Sequence, residues 1–123
     1  MFIDTHAHLY LKEFKNDLSD TLNRSKDAGL ERIYLPNIDV KSIDSMLELE
    51  LKHPECIATM GLHPCSVKKG FEKDLYIIED WLKRRQFVAI GEMGTDLYWD
   101  KTHWKEQVEA FKIQAGWAKE YDL

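Results

Sequence analysis

The residues best suited to chemistry stand at the start of the chain. Ile3-Asp4-Thr5-His6-Ala7-His8-Leu9 sets two imidazoles two residues apart, directly after a short apolar stretch. Read as a buried strand from Met1 to Asp4, this segment turns alternate side chains to one side, so that His6 and His8 face the same way. Two neutral imidazoles held like that chelate a divalent ion with little further ordering. A His-x-His pair alone is weak evidence, because two unremarkable histidines at a strand end read the same way. Its place immediately after the first strand is what raises it.

Two more candidates also follow short apolar runs. His63 lies in Gly61-Leu62-His63-Pro64 and Glu92 in Gly91-Glu92-Met93-Gly94. Val88, Ile90 and Glu92 share strand parity, so the carboxylate continues an apolar inward row. Burying it there without a partner would cost several kcal/mol, and a metal ion is the obvious partner; a carboxylate bonded to loop amides is the alternative. For His63, Pro64 opens a loop, and the side chain either contacts a substrate phosphate or is an ordinary loop histidine. Asp96, four residues after Glu92, either orients a ligand or water or holds a turn. We set it with His63 on the substrate-binding side, and give His53 and His103 no role.

The elements that must position these groups alternate regularly. Phe14, Leu18 and Leu22 with Ser25 or Ala28 form a helical stripe that Gly29 stops, and Ile33-Tyr34-Leu35 before Pro36 reads as a second strand. Asp39 or Ser42 can cap a second helix with the stripe Ile43, Met46, Leu47 and Leu51. Cys56 to Gly61 is a third strand, and Leu75, Ile78 and Leu82 beside Trp81 mark a third helix. Phe87 to Gly91 is a fourth strand, and Trp104, Val108, Phe111, Ala115 and Ala118 give the longest helix. Apolar strands separated by amphipathic helices mean a parallel sheet, because a parallel crossover needs a connection of helix length. The pattern fits an open doubly wound sheet or part of a closed eight-stranded barrel, the latter normally of roughly 250 residues. No glycine-rich phosphate loop follows the first strand, which weakens the nucleotide-binding form of the open sheet. All the candidate residues fall just past the C-terminal ends of strands, the edge where both architectures build their sites.

Composition narrows the setting. With 44% hydrophobic and 32% charged residues, 123 residues suit one globular domain rather than a disordered chain. Cys56 and Cys65 are too few for a disulfide framework and read as reduced thiols of a cytoplasmic protein. No apolar run approaches the roughly 20 residues of a membrane span, so no membrane partner is expected. The net charge of -5 argues against broad attraction to a polyanion, so any contact with nucleic acid must be local. Lys68-Lys69 and Lys83-Arg84-Arg85 are small basic clusters that read as a solvated loop and a helix C-terminus.

Taken together, Ile3-Asp4-Thr5-His6-Ala7-His8-Leu9, Gly61-Leu62-His63-Pro64 and Ile90-Gly91-Glu92-Met93-Gly94-Thr95-Asp96 resemble the TatD family of metal-dependent deoxyribonucleases, among the amidohydrolase-like barrels. Thr95 and Leu97 depart from it, where the family usually has an apolar residue and an aromatic one. The resemblance implies an α/β fold, a parallel (βα)4 half of a TIM (β/α)8 barrel, since the chain matches the N-terminal half of the family's barrel. It also implies cleavage of phosphodiester bonds in DNA, with one or two divalent ions in each complete site. His6 and His8 match the family's metal-binding pair, and Glu92 its metal-bridging carboxylate, the catalytic candidate. The family's further histidines on the fifth and sixth strands, and its water-activating aspartate on the eighth, have no counterpart among these residues. Histidine with carboxylate suits Zn, Ni, Co or Mn better than Mg.

Half a barrel leaves open sheet edges and an uncovered inner face, so we expect self-association, with two copies pairing about a two-fold axis. Two other readings stay open: a hydrolase of the same barrel class acting on amide or lactone bonds, and a non-catalytic half-barrel that binds metal or only assembles.

Overall fold

A computed structural model describes all residues from Met1 to Leu123. Three parallel strands, β1 (Phe2–Asp4), β2 (Leu30–Pro36) and β3 (Cys56–Thr59), lie side by side in chain order. Helices α1 (Leu18–Asp27) and α2 (Ile43–Lys52) cross between them, and α3 (Glu72–Arg84) and α4 (Trp104–Glu120) follow. None of the helices is long and apolar enough to cross a membrane.

The register Ile33↔Cys56 and Leu35↔Ala58 puts four nearly inaccessible side chains on one face of the sheet. Met46 of α2 and Ile78 of α3 belong to the same core, whose apolar burial holds the layers together. The opposite face, which carries Ile3, Arg32, Tyr34 and Ile57, has no such cover. Here β1 departs from expectation. It is a strand, but Phe2 is 65% and Ile3 49% exposed, because it is an edge strand with one face open.

The fourth strand expected over Phe87 to Gly91 is not formed. A single bridge joins Ile90 to Met60, through Met60 N–H to Ala89 O at 3.3 Å and Gly91 N–H to Met60 O at 3.0 Å. The reason lies on the edge of β3. The Ala58 amide, which a longer fourth strand would need, donates instead to Glu50 Oε1 at 2.8 Å. Arg85 holds that carboxylate through Nη1 at 2.5 Å and Nη2 at 3.3 Å. With the ladder blocked there, Val88 lies 52% exposed rather than in an inward strand row.

In α2 the expected face is inward, with Ile43 and Met46 buried and Leu47 packed against the core, but Leu49 joins it while Leu51 is exposed. Helix α4 turns a different face inward from the one its apolar spacing suggests. In α4 the buried residues are Gln107, Ala110, Gln114 and Trp117, whereas Trp104 and Phe111 of the expected stripe are 46% and 40% exposed. The two glutamines explain the rotation. Gln114 accepts from Leu62 N–H at 2.8 Å and donates to Leu62 O at 3.3 Å. Two turns earlier, Gln107 accepts from Asp96 N–H at 2.8 Å and donates to Asp96 O at 3.0 Å. Helix α4 thus clamps both the loop after β3 and the loop after Ile90, satisfying backbone groups that would otherwise be buried unpaired.

Candidate metal centre

Each candidate residue is placed by the end of a parallel run. His6 and His8 follow β1, with the His6 amide turned by a bond to Asp4 Oδ1 at 2.9 Å. Glu92 follows the Ile90 bridge across a cis Gly91–Glu92 peptide, and its amide donates to Asn37 O at 3.2 Å. Asn37, fully buried at the end of β2, also donates from Nδ2 to Gly61 O at 2.9 Å and accepts from Ser42 Oγ at 2.9 Å. Thr59 Oγ1 donates to Gly91 O at 3.0 Å. One asparagine and one threonine therefore tie together the strand ends that carry His63 and Glu92.

The side chains converge. Glu92 Oε2 lies 3.0 Å from His6 Nε2 and 3.4 Å from His8 Nε2, and those two nitrogens are 3.1 Å apart. Glu92 Oε2 is buried, yet no well-directed hydrogen bond reaches it. Potential ligand atoms of His6, His8 and Glu92 all fall within 4.8 Å of one another.

The hydrogen-bond network assigns the proton on His8. Burial holds the Tyr10 phenol well above its ordinary pKa, so it keeps its proton and donates to Pro36 O at 2.5 Å. His8 Nδ1 lies 2.9 Å from that hydroxyl oxygen and 3.0 Å from Pro36 O, and so must be the donor. Its Nε2 therefore presents a lone pair to Glu92 and His6. Burial first, and then the neighbouring His6, lower the His8 pKa against the opposing pull of Glu92. A neutral imidazole whose other nitrogen is anchored to a carbonyl is what a metal ligand requires. The donor set of two nitrogens and a carboxylate, with one buried oxygen lacking a proton donor, fits a divalent ion.

His63 joins the group differently. Its Nδ1 accepts from Cys65 N–H at 3.0 Å, so Nε2 carries the proton, and it lies 3.1 Å from Glu92 Oε1. In this tautomer it is a hydrogen-bond donor rather than a lone-pair ligand. Asp96 does not reach the metal cluster. Its Oδ2 accepts from Cys65 Sγ at 3.3 Å and its Oδ1 from Tyr98 N–H at 2.9 Å. The Tyr98 amide and the Cys65 thiol hold the Asp96 carboxyl below the usual range. Sequence reasoning passed over Tyr10, Asn37, Gln107 and Gln114, and Tyr10 alone had a signal, its spacing of two from His8. A cavity of about 760 Å³ lies behind Tyr10 against α2 and includes none of His6, His8 or Glu92. The chemistry sits instead on the open sheet edge.

Comparison with known proteins bears on this arrangement. The profile of the family described as TatD related DNase matches residues 3–123. An uncharacterized metal-dependent hydrolase of Bacillus subtilis, YabD, is 36% identical over 123 residues, covering 100% of this chain and 48% of its own length. The 3'-5' ssDNA/RNA exonuclease TatD of Dickeya dadantii is 27% identical over 95% of this chain and 45% of its own. The chain thus spans about half the length of the curated relatives it matches. The crystal structure of YjjV, a TatD homologue from Escherichia coli, superposes with a TM-score of 0.90 at 33% identity, covering 99% of this chain and 48% of that one. A TatD-family hydrolase from Entamoeba histolytica, at 21% identity and TM-score 0.74, shares the fold. The architecture is accordingly a parallel βα half of a TIM barrel, with its sheet shortened to three strands and one bridge. On the match from residue 3 to residue 123, the chain belongs to the TatD related DNase family.

Proposed function

We propose that this chain supplies the amino-terminal half of a metal-dependent phosphodiesterase site acting on nucleic acid. The observation that carries the reading is the convergence of His6, His8 and Glu92 within 4.8 Å on the C-terminal edge of a parallel sheet. Family membership and the exonuclease name of the Dickeya relative support the substrate class.

In this reading His6 Nε2, His8 Nε2 and Glu92 hold one divalent ion, of Zn, Ni, Co or Mn type in preference to Mg. Such an ion supplies charge neutralisation at a phosphoryl oxygen and makes water more acidic. The chain's own groups do the positioning. Glu92, the catalytic candidate, turns Oε2 to the two histidines and Oε1 to His63, so it can serve two centres at once. His63 Nε2–H is a fixed donor on the site's rim, and a phosphate oxygen entering there takes the place of, or shares with, Glu92 Oε1. Asp96 supports the substrate side by anchoring Cys65, whose amide fixes the His63 ring.

Completion of the site calls for groups from outside this half. The uncovered sheet face, with Ile3 about half exposed, and the free edge of β1 suit pairing with a second copy. Sedimentation showing only monomer at micromolar concentration would refute that pairing. The activity is tested by incubating the chain with Mn²⁺ or Zn²⁺ and a single-stranded oligonucleotide, beside amide and lactone substrates. Oligonucleotide cleavage that disappears in Glu92→Gln supports the proposal. Cleavage equal in wild type and variant, or hydrolysis of the amide or lactone alone, overturns it.

A further inference from the structure

Two large aromatic side chains on the loop after Asp96 are almost uncovered. Tyr98 is 82% and Trp99 80% exposed. Their ring centroids are 4.7 Å apart and their planes meet at 85°. Two perpendicular rings make a corner, so a planar group lying on one ring presents its edge to the other.

The loop holding this corner is fixed. Buried Gln107 bonds both the amide and the carbonyl of Asp96, Tyr98 N–H donates to Asp96 Oδ1, and Thr102 N–H donates to Asp100 Oδ1 at 2.8 Å. Exposure here therefore comes with order, which favours a preformed contact surface. The corner is also wired to the metal centre: Asp96 to the Cys65 thiol, the Cys65 amide to His63, and His63 to Glu92. Trp99 lines a cavity of about 250 Å³ together with Lys68 and His103. Asp96 and Asp100 line the same cavity; Lys68 makes no ion pair within 4 Å, though Asp100 feels its charge, and His103 Nδ1 lies 3.7 Å from Glu106 Oε1 without a hydrogen bond. An aromatic face beside a lysine, next to a site that suits a phosphodiester, matches the two chemistries of a nucleotide.

We propose that Tyr98 and Trp99 form a stacking platform for a nucleobase of single-stranded nucleic acid, next to the phosphate held at Glu92 and His63, with Lys68 facing the backbone. The inference rests on the phosphodiesterase reading and adds to it the residues that would meet a base of the single-stranded substrate already given by the name of the Dickeya relative. Bases in a duplex already stack on one another and have no free face to offer. A second copy or another protein would also cover the aromatic pair, and the experiment separates these occupants.

The test is equilibrium binding by fluorescence anisotropy with Mn²⁺ present and phosphorothioate linkages in every strand, so that turnover is suppressed. Labelled oligothymidylate is compared with an abasic strand of equal length and charge, and with a duplex. In wild type the base-bearing strand should bind about tenfold more tightly than the abasic one, with the duplex close to the abasic value. Tyr98→Ala/Trp99→Ala should erase that ratio and leave abasic binding and the melting temperature unchanged, while Trp99→Phe should keep most of it. Equal binding of the two strands in wild type, a ratio the double variant leaves intact, or no binding to any strand overturns the platform. Self-association that depends on Tyr98 and Trp99 assigns the surface to a second copy and also overturns it. The two readings fail separately. Cleavage without base discrimination sinks the platform alone, whereas base discrimination with no metal-dependent cleavage sinks the phosphodiesterase reading.

Discussion

Gly61→Ala should damage the proposed metal centre without touching a candidate ligand. A methyl group at Gly61 would lie 2.7 Å from the Gly91 carbonyl carbon and 2.8 Å from Glu92 O, against roughly 3.5–4.0 Å for relaxed contact. Something must therefore move by on the order of 1 Å. The Gly61 side has little room to give, because Gly61 O accepts from Asn37 Nδ2 and Leu62 is clamped by Gln114. The yielding element is the Gly91–Glu92 segment, and with it the carboxylate. Metal sites tolerate ligand displacements of only about 0.2 Å, so affinity for Zn²⁺ or Mn²⁺ should fall by roughly 10- to 100-fold, as when supporting residues are lost. Overpacking should also cost about 1–3 kcal/mol of stability. Isothermal titration calorimetry and thermal melts read the two effects. Gly116→Ala is the control, since nothing lies within 4 Å of a methyl group there; removing a helix-interior glycine should stabilise by about 0.5–1 kcal/mol. Wild-type metal affinity and melting temperature in Gly61→Ala would refute the reasoning.

Further consequences can be checked on the same material. Tyr10→Phe removes the hydroxyl beside His8 Nδ1 and should weaken metal binding by about tenfold while leaving the fold intact, judged by circular dichroism. Gln107→Ala leaves the Asp96 amide and carbonyl without their partners and should cost about 1–3 kcal/mol in urea unfolding. His8, with His6, His63 and Glu92 around it, has a folded pKa below its ordinary 6.5. The unfolded chain then binds the proton first, so the metal-free protein should lose stability as pH falls below about 6.5, a component that His8→Gln removes. Cys56 is buried, and burial followed by Glu55 and Glu50 pushes its thiol up to about 12. Iodoacetamide should thus label exposed Cys65 and spare Cys56 in the native protein, as read by mass spectrometry.

The convergence of the candidate residues was legible where chemistry and position coincided. His6 and His8 stand out because two imidazoles at a strand end have few structural uses, and Glu92 because a carboxylate ending an apolar run needs a partner. What could not be read were groups whose role depends on contacts distant in sequence. Gln107 and Gln114 look like solvated helix positions until the loops they clamp are in place, and the more apolar stripe of Trp104 and Phe111 misdirects the orientation of α4. The fourth strand was over-read for a similar reason. Phe87 to Gly91 has the composition of a strand, but the Glu50 carboxylate, steadied by Arg85, already holds the β3 amide it would pair with. The helical register of α3, with Leu75, Ile78 and Leu82 inward, needed no distant partner and was read correctly.

Anomalous diffraction from crystals soaked in Zn²⁺ addresses the central claim most directly. The account predicts one strong peak at roughly 2 Å from His6 Nε2, His8 Nε2 and a Glu92 oxygen, absent in crystals of Glu92→Gln. A peak bound elsewhere, or bound equally well without that carboxylate, would contradict it.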